Sequence, residues 1–421
     1  MKKFILGGLA AVLIVGIAAA AFWFTRPQMI RAKNGATITL IGVSYGKHHV
    51  PPRIKLAHAR ARRAGSAIDT TNDTLVIWIE TESKSANWPN YNVMVYDPAE
   101  TACVAAAQRS GDQVTKGVFV QGYVLDAYPR RDRKMIVRLA AWNNMGRMQE
   151  VKGEFVIANP GPRSFSDWSP ETIPDTQSDG DLDVTLTRCQ YGVAGFNRGL
   201  GSVKDPMNKA VAVAFRFQQN GKPVNNWEPV GIITSDATGN SVANNSWSNT
   251  HDQNGDPMMT YQWALWPAES AWKLHVEFSR TGGFKDSDLW TVANVPVNEG
   301  KQMEFWNYGY NHQLSAPFAE TTLNGIHLKL YPAMRFTDQS YNGEKTGGFR
   351  IIADPAPEGY RMTLVSAIDE NGHKIPTWNP SWGGGNYGFQ LQDLRNAKFL
   401  NLTVALHKSR FADFTVKPAK P

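Results

Sequence analysis

Short stretches in which apolar and polar residues alternate recur along most of this chain. Alternation places every second side chain on the same face of an extended backbone, which is typical of half-buried β-strands. In each of three similar segments, a central apolar strand and an Asp-containing turn follow the first alternating strand. The first strands lie at residues 37–40, 183–186 and 327–330. The pattern therefore predicts three copies of one β-rich unit.

The last third of each segment carries the strongest similarity. An aromatic strand starts at Tyr123, Tyr261 or Tyr387, and a strictly alternating strand follows. From the last Leu of the aromatic strand to the central Val of the next, the spacing is 12, 11 and 13 residues. Shared order and near-constant spacing favour a repeated unit over chance similarity. Each unit is predicted to close with a further strand, at residues 155–157, 290–292 and 414–416.

The predicted units cover residues 34–160, 180–297 and 323–417. Each is close to the ~100 residues of an immunoglobulin-like β-sandwich, and it resembles that fold in size and in number of strands. The segments between the units, residues 159–181 and 298–322, are polar, and the first of them is rich in Pro, which is typical of linkers. We predict an all-β fold with three tandem immunoglobulin-like β-sandwich repeats after an N-terminal transmembrane helix.

The transmembrane prediction rests on residues 1–26. After Lys2 and Lys3, residues 4–24 contain no charged side chain, and a helix of that length covers roughly the ~30 Å hydrocarbon core of a bilayer. A removable signal peptide, cut near Ala20 or Ala21, stays open as an alternative. We favour an uncleaved signal anchor because the apolar run continues through residues 22–24. Either way, we expect the body in the periplasm of a bacterium or outside the cell, with the anchor in the inner membrane.

An insertion at residues 53–64 separates the first two strands of unit one. It contains helix-forming residues without Gly or Pro, and Pro51 and Pro52 precede it, so we predict a short basic helix. Its basic side chains are the candidates for contact with a membrane surface: Arg53, Lys55, Arg60, Arg62 and Arg63. A solvated helix that only covers the sandwich is an equal alternative.

The net charge changes which partners are plausible. Residues 27–160 contain 18 Lys and Arg against 11 Asp and Glu, which gives +7, whereas residues 161–302 contain 11 against 16, which gives −5. The basic part is therefore next to the predicted anchor, where anionic head groups attract basic segments. Nucleic acid is not expected as a partner because the body is predicted outside the cytoplasm and no nucleic-acid-binding motif occurs.

Catalytic chemistry has little support in the sequence. No nucleophile elbow, zinc-binding His motif, phosphate loop or paired Cys motif occurs, so we predict no catalytic residues, no metal and no cofactor. His48 and His49 would point to opposite faces of a strand, and a solvated turn is favoured for them. Residues 249–257 carry several oxygen ligands but lack the spacing of a calcium loop. Cys103 and Cys189 are expected to be separate buried thiols, with a disulfide left open.

The aromatic side chains provide the best candidate for a binding surface. Trp378, Trp382 and Tyr387 surround three consecutive Gly residues, and exposed planar rings on a β surface can stack on a glycan or an envelope protein. We therefore expect a non-catalytic binding or scaffolding protein. Two alternatives remain: a structural spacer, and a hydrolase of cell-wall or surface polymers. The hydrolase would need carboxylates such as those of Asp252, Asp256 and Glu277 gathered in a cleft.

Overall fold

A computed structural model describes most of the body. The described residues are 28–32, 35–54, 62–63, 67–83, 91–106, 108–142, 148–194, 209–243, 247–302, 305, 316–341, 343–377 and 381–419. They form β-sheets whose pairing is antiparallel with one parallel exception, which confirms the predicted all-β class. No helix in these residues has the length and apolar character needed to cross a bilayer. The predicted anchor, residues 1–26, lies outside the described residues.

The first unit consists of two sheets and a ribbon. Sheet A has the strand order β1-β2-β5-β9-β8, and sheet B has the order β11-β10-β6-β7. The strands are β1 (Met29–Arg31), β2 (Thr37–His49), β5 (Ile68–Glu82), β6 (Tyr91–Tyr96), β7 (Cys103–Ala105), β8 (Gln108–Thr115), β9 (Val118–Leu125), β10 (Lys134–Trp142) and β11 (Met148–Ala158). The ribbon pairs β3 (Arg53–Ile54) with β4 (Arg62–Arg63).

The second unit also consists of two sheets. Sheet C has the order β12-β13-β14-β19-β18, with β15 beside β14, and sheet D has the order β17-β16-β20-β30. The strands are β12 (Asp175–Asp179), β13 (Leu182–Ala194), β14 (Lys209–Gln219), β15 (Lys222–Val224), β16 (Trp227–Asp236), β17 (Ser241–Ala243), β18 (Trp247–His251), β19 (Pro257–Gln262), β20 (Trp272–Arg280) and β30 (Arg410–Val416).

The third unit is one continuous nine-stranded sheet, sheet E. Its order is β22-β23-β25-β24-β21-β29-β26-β27, with β28 beside β25. The strands are β21 (Leu289–Gly300), β22 (Ala319–Leu323), β23 (Ile326–Leu330), β24 (Ala333–Tyr341), β25 (Glu344–Asp354), β26 (Tyr360–Asp369), β27 (Ser381–Gly383), β28 (Asn386–Leu391) and β29 (Phe399–Lys408). A short 3-10 turn, Asp286–Asp288, precedes β21.

In the sequence, the strands of the third unit lie between β20 and β30, which are two neighbouring strands of the second unit. β21, predicted to close the second unit, pairs with β29 and, in parallel, with β24 of the third unit. The last strand, β30, was predicted to close the third unit but pairs with β20 of the second. The predicted boundaries at 297 and 417 therefore do not match this pairing. Both closing strands have the same alternating aromatic pattern, so the pattern cannot select a partner for either one.

Large apolar side chains explain why the sheets face each other. Phe215 of sheet C packs edge-on against Phe278 of sheet D at 5.0 Å between ring centroids, and Phe414 of β30 lies 5.9 Å from Phe215. These rings belong to one buried apolar cluster that runs through the first and second units, whereas the third unit has its own cluster. β30 therefore supplies core side chains to the second unit.

A buried aspartate lies at the end of the corresponding strand in each unit, or directly after it, and organises the next turn. The Oδ1 atom of Asp97 accepts hydrogen bonds from the backbone N–H groups of residues 101 and 102 at 2.8 and 3.0 Å. Asp236 and Asp369 accept equivalent bonds from the backbone two and four residues later. A carboxylate that satisfies turn N–H groups is the mechanism by which Asp favours turns. All three side chains are buried.

The segment between the first and second units is held against the second. The backbone N–H of Trp168 donates to Ser270 Oγ at 3.0 Å, and the N–H of Glu171 donates to the carbonyl of Thr415 at 2.7 Å. The predicted linker 159–181 also contains β12. This segment is thus part of the packed structure, although its composition is that of a linker.

Candidate functional site

The junction between the first and second units centres on Asn240. Its Nδ2 group donates to the carbonyl of Tyr128 at 3.0 Å and to Asp236 Oδ2 at 2.9 Å. Its Oδ1 atom accepts from the backbone N–H of Tyr128 at 3.1 Å and from Arg130 Nε at 2.9 Å. All four hydrogen-bonding positions of the amide are used, and the residue is 1% exposed. Asn240 therefore fixes the position of one unit against the other.

Arg131 extends the same junction. Its Nε donates to Glu269 of the second unit at 3.0 Å, and its terminal nitrogens donate to the carbonyls of Phe165 and Ser166 and to Asp167 Oδ1. One guanidinium thus holds the first unit, the connecting segment and the second unit together. A planar group with five donors suits this role.

Two further groups of the second unit reach the first. Tyr191 Oη and Lys209 Nζ both donate to the carbonyl of Thr101, at 2.7 and 3.1 Å. Trp263 packs on a small apolar cluster of the first unit that includes Tyr96. Its φ of +59° lies in the left-handed region, which is unusual for a bulky residue.

The second and third units meet at a partly buried ion pair. Arg361 of β26 donates two hydrogen bonds to the carboxylate of Glu277 on β20, at 2.8 and 2.6 Å, and Ser409 Oγ donates a third at 2.6 Å. Burial alone would raise the pKa of the Glu277 carboxyl, but these hydrogen bonds lower it below its ordinary value. Glu277 is therefore held ionised as a structural partner of the third unit.

His407 lies buried beside this ion pair. Its Nε2 atom is 3.0 Å from Thr363 Oγ1 and 3.4 Å from Ser279 Oγ, so it bridges β26 of the third unit and β20 of the second. Thr363 Oγ1 donates to the carbonyl of Arg280, which leaves its lone pair for an Nε2–H of His407. Burial lowers the pKa of His407 to about 4. The imidazole is therefore neutral in the folded protein near neutral pH.

The carboxylates of the hydrolase alternative do not form one group. Asp252 Oδ1 accepts from the backbone N–H groups of Asn254 and Asp256 and so organises a turn. Asp256 pairs with Arg216 of sheet C at 3.0 Å. Glu277 lies on sheet D and pairs with Arg361 of sheet E. Each side chain has a local structural role. The segment 249–257 is a hairpin between β18 and β19, which matches the polar turn favoured from the sequence.

The adjacent histidines lie on β2 rather than in a solvated turn. His49 is buried, with Nδ1 2.9 Å from Ser44 Oγ and Nε2 3.1 Å from Thr74 Oγ1. His48 is exposed, and its Nδ1 is 2.6 Å from Asp69 Oδ1. The two rings point to opposite faces, as strand geometry requires. Burial lowers the pKa of His49.

The predicted aromatic surface is placed only in part. Trp378 lies outside the described residues. Trp382 lies in β27 and is described only by its backbone, which pairs with Met362 of β26. Tyr387 is in the core of the third unit at 0% exposure, where burial raises the pKa of its hydroxyl to about 12. Binding by this loop stays a prediction that depends on the two Trp side chains.

The basic insertion is not helical at its described ends. Arg53 is paired with Arg63, and Ile54 with Arg62, in an antiparallel ribbon, so the helix predicted over residues 53–64 is wrong there. Helix propensity is a weak guide where strand pairing competes with it. Lys55 and Arg60 lie outside the described residues. Contact of the five basic residues with a membrane stays a prediction.

The described residues contain neither a metal site nor a reactive thiol. No group of three or more His, Cys, Asp or Glu side chains there could hold a metal ion. Cys103 and Cys189 are buried and form no disulfide, and burial raises the pKa of the Cys189 thiol to about 12. Both side chains are therefore inert thiols of the interior, as favoured from the sequence.

The sequence analysis did not predict the residues that join the units. Asn240 follows an Asp-containing turn, which is a signal for a turn but not for an interface. Arg131 lies in a run of basic residues that reads as solvated surface. Their partners are more than 100 positions away in sequence, so local patterns cannot identify them.

In comparisons with known proteins, no family model, no curated protein and no solved structure matches this chain.

Proposed function

We propose that this chain is a membrane-anchored protein of the bacterial envelope whose body holds binding surfaces in fixed positions outside the cytoplasm. The anchor is residues 1–26, and the body comprises three immunoglobulin-like sandwich units. In the third unit, β21 pairs with both β24 and β29 and so joins the two halves of the sheet, whose side chains share one apolar interior. The observation that carries the proposal is the set of clamps between units: the saturated amide of Asn240, the bridging guanidinium of Arg131, and the Glu277–Arg361 pair. A body clamped in this way suits scaffolding.

Several features support immunoglobulin-like units. Sheets A and B, and sheets C and D, contribute side chains to a common apolar interior, as the layers of a sandwich do. A buried Asp organises the same turn in each unit. The size of each unit agrees with that fold.

A non-catalytic role is favoured over the hydrolase alternative. Asp256 and Glu277 are each neutralised by an Arg on different sheets, and Asp252 holds its own turn. Hydrolysis of a glycosidic bond typically uses two such carboxyl groups, which flank the bond to be cleaved. The spacer alternative is supported by the same clamps as the scaffold, and the two differ in whether an exposed surface binds a ligand.

The test is binding by the whole chain in detergent to defined cell-wall glycan strands and to purified envelope proteins. We expect saturable binding that weakens by about tenfold when Trp378→Ala and Trp382→Ala are combined, since stacked aromatic residues are frequent hot spots. Phe399→Ala, at an aromatic residue of the third unit that is 43% exposed, is the matched control. Binding that is absent for every component would leave the spacer as the better proposal, and hydrolysis of the glycan would establish the enzyme.

A further inference from the structure

The outer face of sheet D repeats a face that the first unit uses for packing. Sheet B has the order β7-β6-β10-β11 and sheet D the order β17-β16-β20-β30, and every pairing in both is antiparallel. The buried turn aspartates, Asp97 and Asp236, follow the same register in the two sheets. Aligned at these aspartates, Met94 of β6 corresponds to Ile233 of β16.

In the first unit this position is covered by the second unit. Met94 lies opposite Arg138, which in turn lies opposite Glu154 and is 3.0 Å from its carboxylate. Met94 is fully buried in a small apolar cluster, against which Trp263 of the second unit packs. An apolar side chain beside an ion pair is therefore a surface through which this chain already joins one unit to another.

The matching row of the second unit is exposed. Ile233 lies opposite His275, and His275 lies opposite Asp413, whose Oδ1 atom is 2.8 Å from His275 Nδ1. Ile233 is 40% exposed, and Phe411, whose ring stacks on the imidazole at 5.4 Å between centroids, is 37% exposed. The third unit contacts this face at Glu277, the next outward position of β20, and leaves the row itself open.

The exposed face carries both signs of charge. Lys273 and His275 project outwards from β20 because Leu274 and Val276, between and beside them, are buried in the core. Lys273 Nζ is 3.5 Å from Asp413 Oδ2, and both side chains are about half exposed. A two-fold axis that passes between these two positions places Lys273 of each copy opposite Asp413 of the partner subunit. The face is therefore complementary in charge to itself.

We propose that two copies of this chain associate through the outer faces of sheet D. Lys273 and Asp413 form reciprocal ion pairs around an apolar contact made by Ile233 and Phe411. The occupant is a second copy because the face is self-complementary in charge and repeats the packing face of the first unit. This association depends neither on the membrane anchor nor on a bound ligand.

The interface is small. Its open part spans four strands and about six residues along β20, which is about 20 Å by 20 Å, or ~400 Å² from each copy. Interfaces of this size belong to weak and transient complexes. We therefore expect a dissociation constant on the order of 10 μM.

Sedimentation equilibrium of the full chain in density-matched detergent measures this association. The parent chain should be largely a monomer at about 1 μM and largely a dimer at about 100 μM. Lys273→Asp and Asp413→Lys should each weaken the dimer by at least about tenfold, because each places like charges opposite one another twice. Lys222→Asp reverses the same charge on β15 of sheet C, at an exposed position, and should leave the dissociation constant unchanged.

Mixing the two single variants distinguishes a contact from a folding defect. The Lys273→Asp chain is acidic at both positions and the Asp413→Lys chain is basic at both, so opposite charges face each other again in the mixed dimer. The equimolar mixture should return to within about threefold of the parent dissociation constant. Damage to the fold of either variant would persist in the mixture and could not produce this rescue.

Ile233→Thr keeps the test valid where a charge reversal lowers the melting temperature. It retains a β-branched side chain and should weaken the dimer by about tenfold, because the apolar contact is lost from both copies. A parent chain that stays monomeric at about 100 μM, or a mixture that associates no better than its components, would overturn the proposal. Weakening by Lys222→Asp equal to that by Lys273→Asp, or a dimer that all the face variants retain, would overturn it as well.

Discussion

Protonation of His407 should destabilise the contact between the second and third units. Its side chain is 5% exposed, and it bridges Thr363 and Ser279 while lying near Arg280 and Arg361. A third positive charge beside two guanidinium groups in a buried site is unfavourable. The ring of Phe284, 5.2 Å away between centroids, contributes to the exclusion of water.

The magnitude follows from the two pKa values. Burial lowers the pKa of His407 to about 4 in the folded state, from 6.5 in the unfolded chain. The folded pKa is the lower one, so the contribution is fully present above pH 6.5 and is lost as the pH falls from there towards 4. Proton linkage gives a loss of about 2 kcal/mol between pH 7.5 and pH 5, and about 3 kcal/mol once the pH is below both values.

Urea unfolding at pH 7.5 and pH 5 measures this loss. In His407→Gln the amide can still donate to Thr363 but does not titrate, so the variant should lose about 2 kcal/mol less than the parent chain over this range. His275→Gln is the control because that imidazole is exposed beside Asp413. If His407→Gln and the parent chain lose the same free energy of unfolding between the two pH values, the argument from burial is refuted.

Three further changes test other parts of the structure. Asn240→Ala should lower the free energy of unfolding, measured in urea, by about 3 kcal/mol, because buried donors of Tyr128 and Arg130 lose their acceptor. Asn254→Ala, in an exposed turn, should lower it by well under about 1 kcal/mol. Cys103 and Cys189 should resist a thiol reagent in the folded chain, and both should react in denaturant; a mass lower by two hydrogen atoms without reductant would instead reveal a disulfide. Gly347→Ala should reduce the yield of folded protein or lower its melting temperature, because an added Cβ would meet the Met334 carbonyl and the Leu394 side chain at 2.2 Å.

The sequence predicted those features that depend on local alternation. The strands after Tyr123, Tyr261 and Tyr387 exist because each second side chain is apolar and enters a core. The Asp-containing turns were visible for the same local reason. His49 was misplaced because β2 continues to residue 49, where Ser44 and Thr74 satisfy the buried imidazole.

The alternating pattern does not predict which strands pair when they are far apart in sequence. β21 and β30 carry equivalent apolar positions, and only the geometry of the assembled sheets decides that β30 joins β20. The same holds for the candidate site. The insertion was recognised from its charge, but its strand pairing depends on two short segments meeting across seven intervening residues, 55–61.

The placement of β30 constrains the order in which the body can be completed during synthesis. The second unit begins at β12, yet one of its core strands is not made until residues 410–416 leave the ribosome. The third unit, β21 to β29, is made entirely before that point. Until the chain is finished, β20 has an open edge with unpaired backbone groups. Such edges can pair with the wrong strand or with another chain, and chaperones protect them. Loss of the last dozen residues would therefore damage the middle of the body rather than its end.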